Sequence, residues 1–302
     1  MSNYSNINGS IIGAAMRECV VKATRLIRER RFTFKPRKKG VRADGRPDWV
    51  TDADEEAQMI YQKILRERFL QFGIVGEEDG LRVECTHPTL DLWFSVDPLD
   101  GTSAYSRMQS HGIGTMIALM CDEEVIASAI GDVMTGEIYY YRPGSKKTHR
   151  LDVFQHEYEQ VLSIDVKKPL IEQYLLLRDP VLKHSSRVQS LAHHSCSPFY
   201  SHEITGGSIG ISMARLWKGE VGGAILRPGK QTPWDSCPVI GMSKRLGFVF
   251  FNINPMYPIL HKIDLKVRKE TYITSSDQLI IHESRFPELT DWCTHNGFLI
   301  DP

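Results

Sequence analysis

The chain has 302 residues, 41% hydrophobic and 25% charged, a size and balance that suit one large layered domain or two smaller ones. Its 37 Lys and Arg are matched by 37 Asp and Glu, so charge gives no reason to expect nucleic acid or an anionic membrane as main partner. No apolar run approaches the roughly 20 residues of a membrane span, and MSNYSNINGS at the start lacks the basic-then-apolar order of a signal peptide. The six cysteines are scattered and none forms a C-x-x-C pair, which points to a reducing compartment and a cytoplasmic location.

In chain order, Ile12, Met16, Val20, Ala23 and Ile27 recur at helical spacing and predict an amphipathic helix over 11–31. Arg25, Arg28, Arg30 and Arg31 collect toward its end, where they suit the negative pole of the helix dipole. The next stretch, RRFTFKPRKKGVRADGRPDW, is basic and broken by Pro36, Gly40, Gly45 and Pro47, so it reads as a loop. Phe32 and Phe34 interleave with cations there, as in single-strand binders, but no nucleic-acid fold motif accompanies them. Thr51 with Asp54 three residues on predicts a helix N-terminus, and Ile60, Ile64 and Leu65 carry that helix to about Phe69.

The period then changes. FGIV, LWFSV, GTMIALM, VIASAIGDV and EIYYY are short β-branched and aromatic runs between turn residues, and predict strands. From about residue 150, VLSIDV and HEITGG read as strand ends and 209–218 as a helix opened by a glycine pair. GGAILR and GFVFFNI read as strands and 238–246 as a short helix. This predicts helices plus a largely antiparallel sheet over 1–150, and an α/β unit with a more parallel sheet over 151–302. The tail from Asn252 carries no usable motif.

Three segments concentrate carboxylates beside turn residues: GEEDG at 76–80, VDPLDGT at 96–102 and PWDS at 233–236. Mg²⁺ is a hard cation that takes oxygen ligands. Pro98 fixes its own φ, so the bend can aim Asp97, Asp100 and the Leu99 carbonyl at one point. Gly101 permits close approach of a phosphate, and Thr102 adds a hydroxyl. One aspartate bridging two cations would give a two-metal site for in-line attack on phosphorus. Taken singly, each segment also reads as a capped turn or solvated surface.

In this order and spacing, GEE, VDPLDGT and WD, with VTDAD at 50–54 upstream, resemble the inositol-monophosphatase family of Mg-dependent, lithium-sensitive phosphatases, a superfamily that includes fructose-1,6-bisphosphatases and 3′(2′),5′-bisphosphate nucleotidases. The resemblance runs over roughly residues 10 to 245. It implies an α+β fold, the layered α-β-α-β-α sandwich of the sugar phosphatases. It also implies metal ligation by Glu77, Asp97, the Leu99 carbonyl, Asp100 and Asp235, with two Mg²⁺ ions, or three counting a weakly held one near Glu77. Glu77, Thr102 and Asp54 are implied as catalytic, the last two orienting a water that attacks without a phospho-enzyme. Leu99, Asp100, Gly101, Thr102, Gly207, Ser208, Arg227 and Asp235 are implied as substrate contacts. A small phosphorylated metabolite as partner and a homodimer follow by analogy.

The chain departs from the family's inositol-type members before Asp235, where AILRPGKQTPWD holds Arg227 and Lys230 in place of a carboxylate. That raises a sugar or nucleotide bisphosphate as alternative substrate, through a second anion contact. A non-catalytic metal- or ligand-binding regulatory role is the alternative of another class. AILRPGK is no P-loop, because Ala224 and Gln231 stand where Gly and Ser or Thr are needed. GGSIGI lacks a dinucleotide-binding unit around it. His193, His194 and His202 come without a matching ligand set and read as ordinary histidines.

Overall fold

A computed structural model describes residues 7–41, 45, 47–154, 158–193 and 197–301. The predicted first helix is α1 (Gly9–Arg30), opened by the Asn8 side chain, which accepts from the Ser10 and Ile11 backbone N–H groups. It is followed by β1 (Pro36–Val41) and β2 (Pro47–Thr51), then α2 (Asp52–Arg68), which the Thr51 N–H caps through the Asp54 carboxylate at 2.8 Å. The first large sheet comprises β3 (Gly73–Gly76), β4 (Arg82–Val83), β5 (Leu92–Asp100), β6 (Gly114–Cys121), β7 (Glu124–Asp132), β8 (Glu137–Tyr141), β9 (His149–Asp152) and β10 (Tyr158–Val161). Its order is β10-β9-β8-β7-β6-β5-β3-β4, antiparallel except for the parallel β3–β5 pair. A short helix, α3 (Thr102–Ser106), leaves the end of β5.

The second large sheet is built from β11 (Tyr174–Leu177), β12 (Ser201–Ile204), β13 (Gly223–Leu226), β15 (Phe248–Ile253), β16 (Ile259–Ile263), β18 (Asp277–His282) and β19 (Leu299–Asp301). Between them run α4 (Ser186–Ala192), α5 (Ile209–Trp217), β14 (Gly229–Gln231), α6 (Pro233–Arg245), β17 (Tyr272–Thr274) and α7 (Phe286–His295). The order is β12-β11-β13-β18-β15-β16-β19.

Side-chain alternation on the two sheets produces three cores and five layers. Ile12, Met16, Val20 and Ile27 of α1, with Tyr61 and Leu65 of α2, cover the Phe94, Val96, Ile117 and Leu119 face of the first sheet. Its opposite face presents Trp93, Met116, Ala118 and Met120 to Met213 and Trp217 of α5 and to Val239 and Ile240 of α6. The same two helices bury Leu176, Ala224, Phe250 and Ile280 of the second sheet. The outer face of that sheet packs Leu177, Ile225 and Leu279 against Leu191 of α4 and Leu289 of α7. The expected α-β-α-β-α sandwich is therefore present. Among the described residues no helix is long and apolar enough to cross a membrane.

Several expectations need correction. The basic loop is a hairpin: β1 pairs with β2 from Pro36↔Thr51 to Val41↔Pro47, with an irregularity between Lys38 and Gly40. Its first strand is almost wholly exposed, so no apolar alternation marks it in sequence. VLSIDV is not a strand beyond Val161, where β10 ends. The second sheet does have three parallel pairs against one in the first, with β18 entering antiparallel between β13 and β15. The tail that carried no motif supplies that central strand. Finally, α6 starts at Pro233, not Pro238, because Thr232 caps it and Pro233 takes the first turn, where an N–H is not needed. His194 and Cys196 lie outside the described residues; the other five cysteines are free thiols.

Two measurements check this packing. Ile280→Ala, in a strand buried on both faces, is expected to cost about 2–5 kcal/mol in denaturant unfolding. Asp277, almost fully buried, is pushed up by burial, but hydrogen bonds from His184 Nδ1 (2.8 Å) and the Ser185 N–H (3.1 Å) outweigh this and hold its carboxyl below the usual range. A depressed carboxyl stabilises the fold above its unfolded value of about 3.9 and loses that contribution as pH falls through the folded value. Asp277→Asn should therefore lower stability near neutrality and flatten its fall in acid, read from urea midpoints across the pH range.

Candidate functional site

The acidic segments meet at one end of the first sheet. β5 runs in register with β6 from Leu92↔Cys121 to Asp97↔Met116, then skips, so that Asp100 pairs with Gly114. The skip falls on Pro98-Leu99 and makes the bend expected from the sequence. Leu99 buries its side chain in the first core, while its carbonyl oxygen lies 3.1 Å from Thr102 Oγ1. The Thr115 hydroxyl, itself 2.6 Å from the buried Tyr61 phenol, lies 3.4 Å from the Asp97 carbonyl.

Asp235 arrives from a different layer, on the first turn of α6, where Thr232 Oγ1 donates to its carboxylate at 2.6 Å. One carboxylate oxygen from each of Asp97, Asp100 and Asp235 lies within 4.8 Å of the other two. Glu77 follows β3 directly, with its N–H on the Val96 carbonyl at 3.2 Å. Burial is the largest influence on each of Glu77, Asp97 and Asp100 and raises all three above the ordinary carboxylate range. Repulsion by Asp235 adds to each shift, and Glu77 and Asp100 further raise Asp97. Asp97 is 1% exposed, and its Oδ1 is buried without a hydrogen-bond partner. A partnerless anionic oxygen among repelling carboxylates is costly unless a cation joins it. An all-oxygen donor set of this kind suits a hard dication such as Mg²⁺.

Asp54 reaches the same place from the first turn of α2. Its Oδ2 accepts from the Thr51 N–H and hydroxyl, and its Oδ1 from Thr102 Oγ1 at 3.1 Å. Burial pushes its carboxyl up to about 7 despite those bonds. The two substrate-side segments are stitched together by glycines. Gly101 has φ 93° and Gly207 φ 82°, and a Cβ on either would come within 2.4 Å of the Gly112 carbonyl oxygen. Beside them the Ser208 N–H donates to that same carbonyl at 2.8 Å. The Ser208 hydroxyl and the Gly210 N–H (2.9 Å) then both donate to Asp100 Oδ2.

Of the residues singled out from sequence, Asp54, Glu77, Asp97, Leu99, Asp100, Gly101, Thr102, Gly207, Ser208 and Asp235 thus gather around one cluster. Arg227 stands at the end of β13, ion-paired with Asp179 at 3.1 Å, and Lys230 is exposed on β14. Of the histidines, His193 is exposed and His202 contacts the Ala192 carbonyl at 3.2 Å. Sequence reasoning missed Arg178, at the end of β11, which donates to the Gly207 carbonyl and whose charge lowers Asp100. It also left Lys39 of the hairpin unplaced; its ammonium lies 2.8 Å from Glu78 Oε2 and 3.7 Å from Glu77 Oε1. Neither has a local signal, since Arg178 follows β11 and Lys39 lies within β1, both distant along the chain from the acids they approach.

Repulsion within the cluster has a measurable consequence. Asp97→Asn removes one of the mutually repelling charges and should raise the melting temperature of the protein in chelator, whereas Gly207→Ala should lower it by forcing a Cβ onto the Gly112 carbonyl.

With this geometry in view, the family model described as the inositol monophosphatase family matches residues 10–286. Among curated relatives, the chain is 36% identical over 94 residues to a Nus factor SuhB of Xylella fastidiosa, covering 31% of this chain and 32% of that protein. It is 30% identical over 129 residues to an inositol-1-monophosphatase of Caulobacter vibrioides, covering 40% of this chain and 49% of that one. The chain thus spans about a third to a half of the length of these relatives. The extragenic suppressor protein SuhB of Bartonella henselae superposes with a TM-score of 0.67 at 17% identity, over 93% of this chain and 98% of that one. A staphylococcal IMPase solved with products has a TM-score of 0.67 at 16% identity, over 97% and 98%. An IMPase/NADP phosphatase solved with Mg²⁺ and phosphate has a TM-score of 0.63 at 16% identity, over 96% and 95%. At these identities the structural likenesses speak for the fold.

Proposed function

Because the chain belongs to the inositol monophosphatase family, we propose that it is a magnesium-dependent phosphatase that hydrolyses a small phosphomonoester by direct attack of water, without a phospho-enzyme. The observation that carries this reading is the buried, partnerless Asp97 Oδ1 between Glu77, Asp100 and Asp235.

Glu77, Asp97 and the Leu99 carbonyl would hold one ion, and Asp97, Asp100 and Asp235 a second. Bound there, Mg²⁺ supplies the positive charge that acidifies water and offsets charge on the phosphoryl and leaving oxygens. The protein's own groups do the positioning. Thr102 donates its hydroxyl hydrogen to Asp54, which leaves an oxygen lone pair to accept a hydrogen from the attacking water. Asp54, poised near neutrality, is suited to receive a proton through Thr102. The Gly101-Thr102 and Gly207-Ser208 turns, locked together over Gly112, form the wall against which the phosphoryl group lies. Arg178 adds a fixed cation beside Asp100 that favours an anionic substrate. Asp235, only partly buried on the first turn of α6, would complete the second cation site from the next layer.

A doubly phosphorylated substrate is a second reading, favoured by Arg178 and Arg227 at adjacent strand ends. A non-catalytic role is favoured by the name of the SuhB relatives alone. The homodimer of this proposal rests on the family resemblance, and the cytoplasmic location on the scattered cysteines.

Phosphate release from a panel of inositol phosphates, fructose 1,6-bisphosphate, adenosine bisphosphates and histidinol phosphate tests the reading. Release from at least one, abolished by chelator and restored by Mg²⁺, is expected; a folded protein that binds no Mg²⁺ would sink it. Thr102→Ala should cost about 10²–10⁴ in kcat with Mg²⁺ affinity retained, as loss of a proton-handling group does. Full activity in that variant would remove Thr102 and Asp54 from the mechanism.

A further inference from the structure

We propose that Gln58 is a positioning residue for the cation site, fixing where Glu77 points by clasping the backbone of the residue after it. The inference rests on the reading of Glu77 as a metal ligand.

Glu77 lies where regular support ends. Gly76 is the last residue of β3, and past Glu77 the chain turns sharply through Asp79 at φ 53° and Gly80 at φ 62°. Asp79-Gly80 is a pair that takes positive φ readily, so the turn forms locally, but nothing local fixes how it sits against the sheet. Glu78, 2% exposed, nevertheless has its main chain hidden from water, and its N–H and C=O need partners there. The Gln58 carboxamide supplies both. Its Nε2 donates to the Glu78 carbonyl at 2.9 Å, and its Oε1 accepts from the Glu78 N–H at 3.1 Å. The Leu81 N–H donates to the same carbonyl at 3.0 Å. The two Gln58 bonds settle the orientation of the amide, because the flipped amide would set donor against donor and acceptor against acceptor.

The clasp explains two local features. A Cβ on Gly76 would stand 3.0 Å from Gln58 Oε1 and 2.9 Å from Leu81, so glycine there leaves room for the carboxamide. Gln58 also follows Asp54 by four residues, on the same face of α2. One turn of one helix therefore holds both Asp54, which receives Thr102, and the turn that aims Glu77. The spacing between the water-orienting pair and the ligand is set by a rigid element. Lys39 also contacts Glu77 and Glu78, but from an exposed hairpin.

The test uses the whole chain and two variants. Gln58→Met keeps similar bulk and removes both bonds. Gln58→Glu keeps the shape and the acceptor, but sets a carboxylate oxygen against the Glu78 carbonyl. Calorimetry with Mg²⁺ on substrate-free protein should show affinity weakened about 10–100-fold in Gln58→Met, the usual cost of losing an outer partner of a metal ligand. At saturating Mg²⁺ the kcat should recover toward wild type, since the chemistry itself is untouched. If Gln58→Met does not fold, Gln58→Glu decides by the same measurement. Unchanged Mg²⁺ affinity in a folded variant, with only a lower melting temperature, would reduce Gln58 to a structural role and overturn the proposal. Wild-type protein without Mg²⁺ affinity would instead overturn the phosphatase reading beneath it.

Discussion

Mutual repulsion among Glu77, Asp97, Asp100 and Asp235 is the constraint around which the rest of this molecule is arranged. Burial and like charge raise three of these carboxyls together, and one Asp97 oxygen is left with no protein partner. Nothing local would bring such groups into contact. They are held by elements that are rigid for other reasons: a central strand, an adjacent parallel strand and a capped helix of the next layer. The apolar cores on either side of the first sheet supply the free energy that keeps the acids close.

The arrangement also shows a division of labour between main chain and side chain. The Pro98-Leu99 skip in β5 turns two carboxylates and a carbonyl toward one point, while the Leu99 side chain anchors the bend in the first core. Interlocked Gly101, Gly112 and Gly207 let two turns approach closer than any Cβ permits. Ser208 and Gly210 then spend their donors on Asp100, and α2 ties Asp54 and the Glu77 turn to a single helical surface. Arg178 beside Asp100 and Lys39 paired with Glu77 and Glu78 offset part of the cluster's negative charge.

The elements that were legible in the chain are those with strong local periodicity or a cap. α1, α2 and α5 carry apolar residues at helical spacing, β3 and β5 to β8 are apolar runs between turn residues, and Thr51 with Asp54 announces a helix start. The hairpin β1–β2 was not legible, because exposed β1 shows no apolar alternation and prolines and glycines interrupt the run. β18 was not recognised either. Its run DQLIIH has only Leu279, Ile280 and Ile281 as apolar residues, too few to carry a period that separates strand from helix. It enters the second sheet antiparallel between β13 and β15.

By itself, the sequence determined which oxygen donors exist, their order, and the tight bend and glycines that let them approach, since these follow from residue chemistry and from φ restrictions at single positions. Only the tertiary structure decided that Asp235 meets Asp97 and Asp100 from another layer, that Arg178 and Lys39 stand beside them, and that Gln58 holds the Glu77 turn. Those relations depend on how sheets and helices pack over distances of tens to more than a hundred residues, and no local preference of the chain encodes a distance of that kind.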